Sequence, residues 1–300
     1  MCYNCKVVNL YTHQSENVRR TFLLMGGFFA LLITLGWIFG QALENPATLY
    51  VAVVLALVMN VVGYWHSDKI ALALSRAKSV TREEQTELYR AVENLSITAG
   101  LPTPKVYVIS ASQINAFATG RDKEHAAVAV TTGALERLSK VELEGVLAHE
   151  LAHVGNRDIL VSTVVVVLAG IIALISDFFI RAMWSGGGRR REGDGRIFLI
   201  LGIVAAIAAP IAASLIRLAI SRQREYLADA SGAMLTRYPE GLASALEKIA
   251  ADGEPMPHAH TGTAHLFISN PFKGGGKMLT KLFMTHPPVE ERIQRLRGGV

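Results

Sequence analysis

Four apolar runs govern what this chain can fold into. They are Thr21 to about Leu43, Thr48 to Trp65, Ile159 to about Trp184 and Ile197 to Ile220. A helix needs roughly 17–25 apolar residues to cross a bilayer, and each run meets that length. The first is too long for a signal-peptide core and lacks a convincing small-residue cleavage site. Hydrophobic residues make up 51% of the chain and charged residues only 18%, a balance unusual for a purely soluble domain. The expected architecture is therefore a multi-pass α-helical membrane protein, mainly α with a small β-sheet.

Charge placement orients the first two runs. Glu44-Asn45-Pro46 separates them, so they form a helical hairpin whose connection has no Lys or Arg. Lys6, Arg19 and Arg20 precede the hairpin, and Lys69, Arg76 and Lys78 follow it. The positive-inside rule puts both flanks in the cytoplasm. The second pair conflicts with that rule. If both of its runs span, the linker Ser185–Arg196, with Arg189, Arg190 and Arg191, lies outside. Either the first hairpin dictates orientation or the second pair inserts shallowly; spanning is the expectation adopted here.

The remaining sequence divides accordingly. Residues 1–20 form an N-terminal extension and 21–65 the first hairpin. Residues 66–158 are the first part of an aqueous domain, 159–220 the second hairpin and 221–300 the second part. Thr81-Arg82-Glu83-Glu84 reads as a capping box opening a helix, ended by Gly100-Leu101-Pro102. Lys105–Ile109 and Ala126–Val130 read as strands. Between them, Gln113–Gly120 is weaker and fits a sheet edge, whose free backbone groups could pair with a peptide. Helices are expected at Ser221–Ala230, Pro239–Ala251 and Val289–Arg297.

The chemistry is concentrated in Leu147-Ala148-His149-Glu150-Leu151-Ala152-His153. His149 and His153 are four apart, so on a helix they share one face. That spacing suits two ligands of one tetrahedral zinc. Glu150 sits beside the metal, where a carboxylate can take a proton from the attacking water and later pass it to the leaving amine. The H-E-x-x-H pattern thus points to zinc-dependent peptide hydrolysis. Two solvated histidines on an amphipathic helix are the plain alternative. The context favours a helix: Ser139 and Glu142 form a second capping-box pattern, and Val141, Leu143, Val146, Leu147, Leu151 and Val154 make an apolar stripe.

A hydrolytic zinc takes a third protein ligand and leaves one position for water. Glu225, Asp229, Asp158, His258, His260, His265 and His286 are all available. His258 and His260 lie in a Gly- and Pro-rich stretch, a poor rigid platform. Glu225 is preferred, because the returning apolar hairpin brings its helix to the side where the histidines lie. Asp229, one turn on, could accept a hydrogen bond from the non-ligating nitrogen of a bound His.

Other features exclude more than they assign. The net charge of +5 is clustered, and such clusters suit anionic lipid at least as well as nucleic acid. No basic stretch is interleaved with aromatics, so no nucleic-acid partner is expected. Cys2 and Cys5 are the only cysteines, so no disulfide framework holds the fold. Cys2-x-x-Cys5 could bind metal or do redox chemistry, but with no second pair and no helix after it an inert or variable extension is the preferred reading.

Taken together, three stretches resemble the HtpX family of bacterial membrane zinc proteases. They are His149-Glu150-Leu151-Ala152-His153 with Asn156-Arg157-Asp158, Ser221–Asp229 and Thr285-His286-Pro287-Pro288. Asn115-Ala116-Phe117-Ala118 is similar to that family's segment ahead of the metal helix. The resemblance runs from about Arg20 to the C-terminus; residues 1–17 depart from it. It implies a gluzincin-type catalytic domain on the cytoplasmic side of the inner membrane, with one Zn²⁺ per chain held by His149, His153 and Glu225. It implies Glu150 as catalytic acid/base, Asp229 as a supporting residue and His286 as a helper near the site. Asn115, Ala116 and Phe117 would face substrate, and misfolded or damaged membrane proteins would be the substrates. A CAAX prenyl protease is the nearest enzymatic alternative, disfavoured by only four apolar segments. A non-catalytic zinc-binding scaffold would not need Glu150.

Overall fold

The structure is a computed structural model, and it describes residues 10–42, 44–185, 222–256, 262–272 and 287–298. Two long helices come first, α1 (Leu10–Ala42) and α2 (Ala47–Leu74). They pack as an antiparallel hairpin, and Gly36 lets them approach so closely that a Cβ there would collide with Ala52. Both contain stretches apolar and long enough to cross a membrane, Gln14–Ile38 and Ala47–Leu74. Leu23, Val51, Val54, Leu57 and Trp65 are exposed along them, as a helix surface facing lipid would be. Helix α1 begins at Leu10, well ahead of the apolar run at Thr21, so the polar residues just before that run extend the helix rather than precede it.

Four strands follow in part: β1 (Lys78–Ser79), β2 (Lys105–Ile109), β3 (Ala116–Gly120) and β4 (Ala126–Thr131). The sheet order is β1-β2-β4-β3, with β2 parallel to β4 and the other pairs antiparallel. Strand β3 is thus an edge. Every residue of β4 is buried. One sheet face, with Val106, Val128 and Val130, packs on Leu88, Leu147, Leu151 and Leu246. The other, with Phe117, Ala127 and Ala129, packs on Leu72, Val166 and Phe267. Burial on both faces explains why Ala126–Val130 is continuously apolar instead of alternating.

The helices around the sheet are α3 (Thr86–Ala99), α4 (Thr132–Arg137), α5 (Lys140–Gly155), α6 (Asp158–Ser185), α7 (Arg222–Thr236), α8 (Pro239–Ala251) and α9 (Val289–Arg297). The expected capping box at Thr81 and Glu84 is present: Thr81 N–H donates to the Glu84 carboxylate at 2.7 Å. It closes a turn, and helix α3 itself starts only at Thr86. Gly100 ends α3 in the left-handed region at φ 64°, where glycine carries no Cβ penalty.

Helix α5 runs through the middle of the part that carries the sheet, touching α3, α7, α8 and β3. Most of its side chains are buried, although Val141 at its start is exposed. After Asn156 the chain turns through 85° into α6. Arg157 makes that elbow with a left-handed φ of 59°. The apolar run Ile197–Ile220, the linker Ser185–Arg196 apart from Ser185, Cys2, Cys5, His258, His260 and His286 lie outside the described residues.

Candidate metal centre

Helix α5 is held firmly at its N-terminus. The Ser139–Glu142 capping box is complete, with the Glu142 carboxylate accepting from Ser139 N–H at 2.7 Å. Glu142 also accepts from Ser244 and Lys248 of α8, each at 2.6 Å. Burial alone would raise the pKa of Glu142. The bonds from Lys248, Ser244 and Ser139 outweigh it and bring the value down to about 2. The start of α5 is therefore tied to α8 by a carboxylate that stays ionised.

Two glycine contacts set the helix spacing. A Cβ on Gly232 of α7 would lie 2.9 Å from the backbone nitrogen of His149. A Cβ on Gly145 of α5 would lie 2.6 Å from the backbone nitrogen of Leu242. Only glycine permits such approach. The glycine that interrupts the apolar stripe of α5 is thus the point where α8 crosses it.

With α7 this close, three ligand side chains converge. The Nε2 atoms of His149 and His153 are 3.2 Å apart. Glu225 brings Oε2 to 3.7 Å from His149 Nε2 and Oε1 to 3.6 Å from His153 Nε2. Tetrahedral coordination at about 2.0–2.1 Å separates neighbouring ligand atoms by roughly 3.3 Å, close to each of these spacings, so the two imidazoles and the carboxylate lie within reach of one ion. Among the described residues, His149, His153 and Glu225 are the group placed to hold a metal ion.

The outward nitrogens are fixed too. His149 Nδ1 lies 3.0 Å from Asp229 Oδ1, and His153 Nδ1 lies 3.0 Å from Asp158 Oδ2. A carboxylate on Nδ1 holds the proton there and turns Nε2 toward the metal. Burial would lower the pKa of His153. The bond to Asp158 and the charges of Glu225, Asp158 and Glu150 prevail and raise it to about 9. Asp229 is held well below the usual carboxylate range: burial opposes ionisation, but the Arg292 guanidinium and His149 outweigh it. Asp158, one of the open choices for third ligand, is thus placed as the partner of His153.

Glu150 is buried beside these ligands, and its Oε2 accepts from the backbone N–H of Ala118 in β3 at 2.8 Å. A cleft in front of it is lined by Ala118, His153, Glu225, Ser162 and His265. His265 Nε2 is 3.0 Å from the carbonyl of Ser162, on the cleft wall rather than among the ligands. Asn115 binds the loop opposite, donating to Ser269 O at 2.9 Å and accepting from Ser269 N–H at 3.1 Å. Ala116 accepts from Ile268 N–H at 3.1 Å, so this part of the β3 edge is already covered. Phe117 points to the other sheet face and meets Phe267 edge-on. His286 falls outside the described residues.

Sequence reasoning missed Arg292 and Asn17. Arg292 of α9 is fully buried and binds Asp229 through two nitrogens. Asn17 of α1 is buried and donates to Asp158 Oδ1 at 2.8 Å. The available signal for Asn17 was a polar residue beside an apolar run, since such groups need partners.

Fold and centre together define the class: a metallopeptidase built onto membrane helices. Residues 82–300 match the model of peptidase family M48. "Protease HtpX homolog" of Thermoanaerobacter pseudethanolicus is 49% identical over 298 residues, covering 96% of this chain and 97% of the relative. That of Syntrophobacter fumaroxidans is 50% identical over 285 residues, covering 93% and 98%. A crystal structure of S. mikatae Ste24p aligns with a TM-score of 0.49 at 18% identity, covering 96% of this chain and 66% of that one. The chain belongs to peptidase family M48 and, within it, to the HtpX proteases.

Proposed function

We propose that this protein is a zinc-dependent endopeptidase of the bacterial inner membrane, with one zinc per chain, that cuts misfolded or damaged membrane proteins from the cytoplasmic side. The observation that carries the zinc reading is the convergence of two Nε2 atoms, 3.2 Å apart, with the Glu225 carboxylate, whose two oxygens lie 3.6 and 3.7 Å from them, and both outward histidine nitrogens on carboxylates. Two imidazoles and one carboxylate are a usual set for hydrolytic zinc. When bound, the ion would supply Lewis acidity, polarising the scissile carbonyl and acidifying water.

The chain's own residues do the rest. Glu150 sits at the cleft with its carboxylate steadied by Ala118 N–H. It takes the proton of the attacking water and delivers it to the departing amine. An extended substrate would enter the cleft that Ala118 and Glu150 line, beside the part of the β3 edge that Ile268 covers at Ala116. The membrane hairpin keeps this cleft near the bilayer, and Lys and Arg on both hairpin flanks support a cytoplasmic site.

Detergent-purified, zinc-loaded protein should cut an unfolded protein such as casein, and a chelator should stop it. Glu150→Gln should keep near-stoichiometric zinc and lose cleavage. Cleavage by Glu150→Gln at the parent rate would refute this mechanism.

A further inference from the structure

The first membrane helix reaches the metal centre through the carboxylate that holds His153. Asn17 lies within the apolar span of α1 yet is buried against the aqueous domain. Its Nδ2 donates to Asp158 Oδ1 at 2.8 Å and to the carbonyl of Asn156 at 3.1 Å. Its Oδ1 accepts from Arg224 Nη1 at 3.4 Å. The amide orientation follows from this chemistry: the donor faces an anion and a carbonyl, and the acceptor faces a cation.

Each partner belongs to the centre. Asp158 holds His153 through its other oxygen. Arg224 precedes the ligand Glu225 and also approaches Asp158 Oδ1 at 3.5 Å. Asn156 ends the helix that carries both histidines. Gln14, one turn before Asn17, donates to the carbonyl of Gly155 at 2.8 Å. The last carbonyls of a helix have no partner within it. Here α1 supplies two of those partners, at the elbow where α5 turns into α6.

We infer that Asn17 is a positioning residue for the metal centre. It ties the first membrane helix to Asp158, and through Asp158 to His153, so the centre keeps its geometry only while α1 is docked. An apolar side chain would satisfy a helix that merely packs here, as Phe28 and Leu32 do further along against Leu160, Val164 and Leu168. A buried amide at this depth is costly unless its bonds are made. The consequence is a link from membrane to catalysis: whatever tilts or lifts α1 loosens a metal ligand without touching the cleft.

The inference rests on the metallopeptidase reading, and the test separates the two. The full-length parent, Asn17→Ala, Asn17→Ser, Asp158→Ala and the Asn17→Ala/Asp158→Ala pair are stripped of metal and titrated with cobalt(II) against a competing chelator. The visible absorption of bound cobalt reports ligand geometry independently of activity. Asn17→Ala should weaken metal binding about threefold to tenfold, below the 10–100-fold usual for a carboxylate that touches a ligand, and should alter the cobalt spectrum. In the Asp158→Ala background, Asn17→Ala should add nothing further. Asn17→Ser, too short to reach Asp158, carries the same expectation if the alanine variant does not fold. A parent that binds no cobalt would refute the metallopeptidase reading itself. A parent that binds cobalt, with Asn17 variants matching its affinity and spectrum, would overturn the inference even if those variants melt earlier. So would an Asn17→Ala effect that persists without the Asp158 carboxylate.

Discussion

Arg292 donates to both carboxylate oxygens of Asp229, through Nε at 2.9 Å and Nη2 at 2.6 Å, with its guanidinium wholly removed from solvent. Asp229 in turn holds His149 Nδ1 at 3.0 Å. The short helix α9 therefore sets a cation against both Asp229 and His149, with Arg292 Nη2 3.4 Å from His149 Nε2. Removing one member of a buried ion pair leaves the other as an uncompensated charge, which costs about 3–5 kcal/mol. Arg292→Met should lower the unfolding midpoint of the metal-free protein sharply. Adding Asp229→Asn should recover part of the loss, because no lone charge then remains. A parent-like midpoint for Arg292→Met would contradict the assignment.

The approach of α7 to α5 gives a second test. The Cβ contact of 2.9 Å at Gly232 falls on the backbone of His149, which cannot give way as a flexible side chain can. Overpacking of this kind costs about 1–3 kcal/mol. Gly232→Ala should also push Glu225 and Asp229 away from the histidines, so metal affinity should fall along with stability. Chelator competition measures the first and thermal melting the second. A variant less stable but unchanged in metal affinity would mean the helix spacing does not set the ligand triangle.

The elements whose residues repeat locally were legible before the structure. The period of α5, its Ser139–Glu142 box, the two core strands and the glycine stop at Gly100 all follow from neighbours within a few positions. The start of α3 was misplaced because Thr81 and Glu84 satisfy a turn as well as a helix. What could not be read were pairings across the chain. Asn17 meets Asp158 across 141 positions, and Arg292 meets Asp229 across 63. Neither periodicity nor motif spacing carries such information. The cover over Ala116 was equally hidden, since it comes from Ile268, far downstream on a loop with no repeat.

The raised pKa of His153 fixes a pH dependence. Its folded value of about 9 exceeds the ordinary 6.5. The protonated imidazole therefore stabilises the metal-free fold fully below about pH 6.5, and that contribution disappears as pH rises through about 9. Metal binding needs the proton gone, so affinity should increase with pH across the same window, with proton release on binding. Thermal midpoints of metal-free protein between pH 6 and 9.5 should fall, and His153→Gln should flatten the decline. Midpoints of the metal-free parent that hold steady or rise over this range would count against the carboxylate cluster around His153.

The ligands and their supports should separate by degree. Glu225 presents both oxygens to the gap between the histidines, at 3.6 and 3.7 Å from their Nε2 atoms, and no other described carboxylate completes that triangle. Glu225→Ala should therefore lose most zinc and nearly all cleavage. Asp229 and Asp158 touch only the outward nitrogens, so removing either leaves all three ligands in place. Asp229→Ala or Asp158→Ala should weaken zinc binding or activity by roughly 10–100-fold without abolishing it. Asp229→Ala should be the more damaging to folding, because it strands the buried Arg292 guanidinium. Asp158 instead has Asn17 and Arg224 beside it near the elbow of α5 and α6. Zinc content after dialysis, read against cleavage of casein, distinguishes the classes. If Glu225→Ala retains zinc like the parent while Asp158→Ala loses it, then Asp158 is the third ligand and the carboxylate on α7 is not.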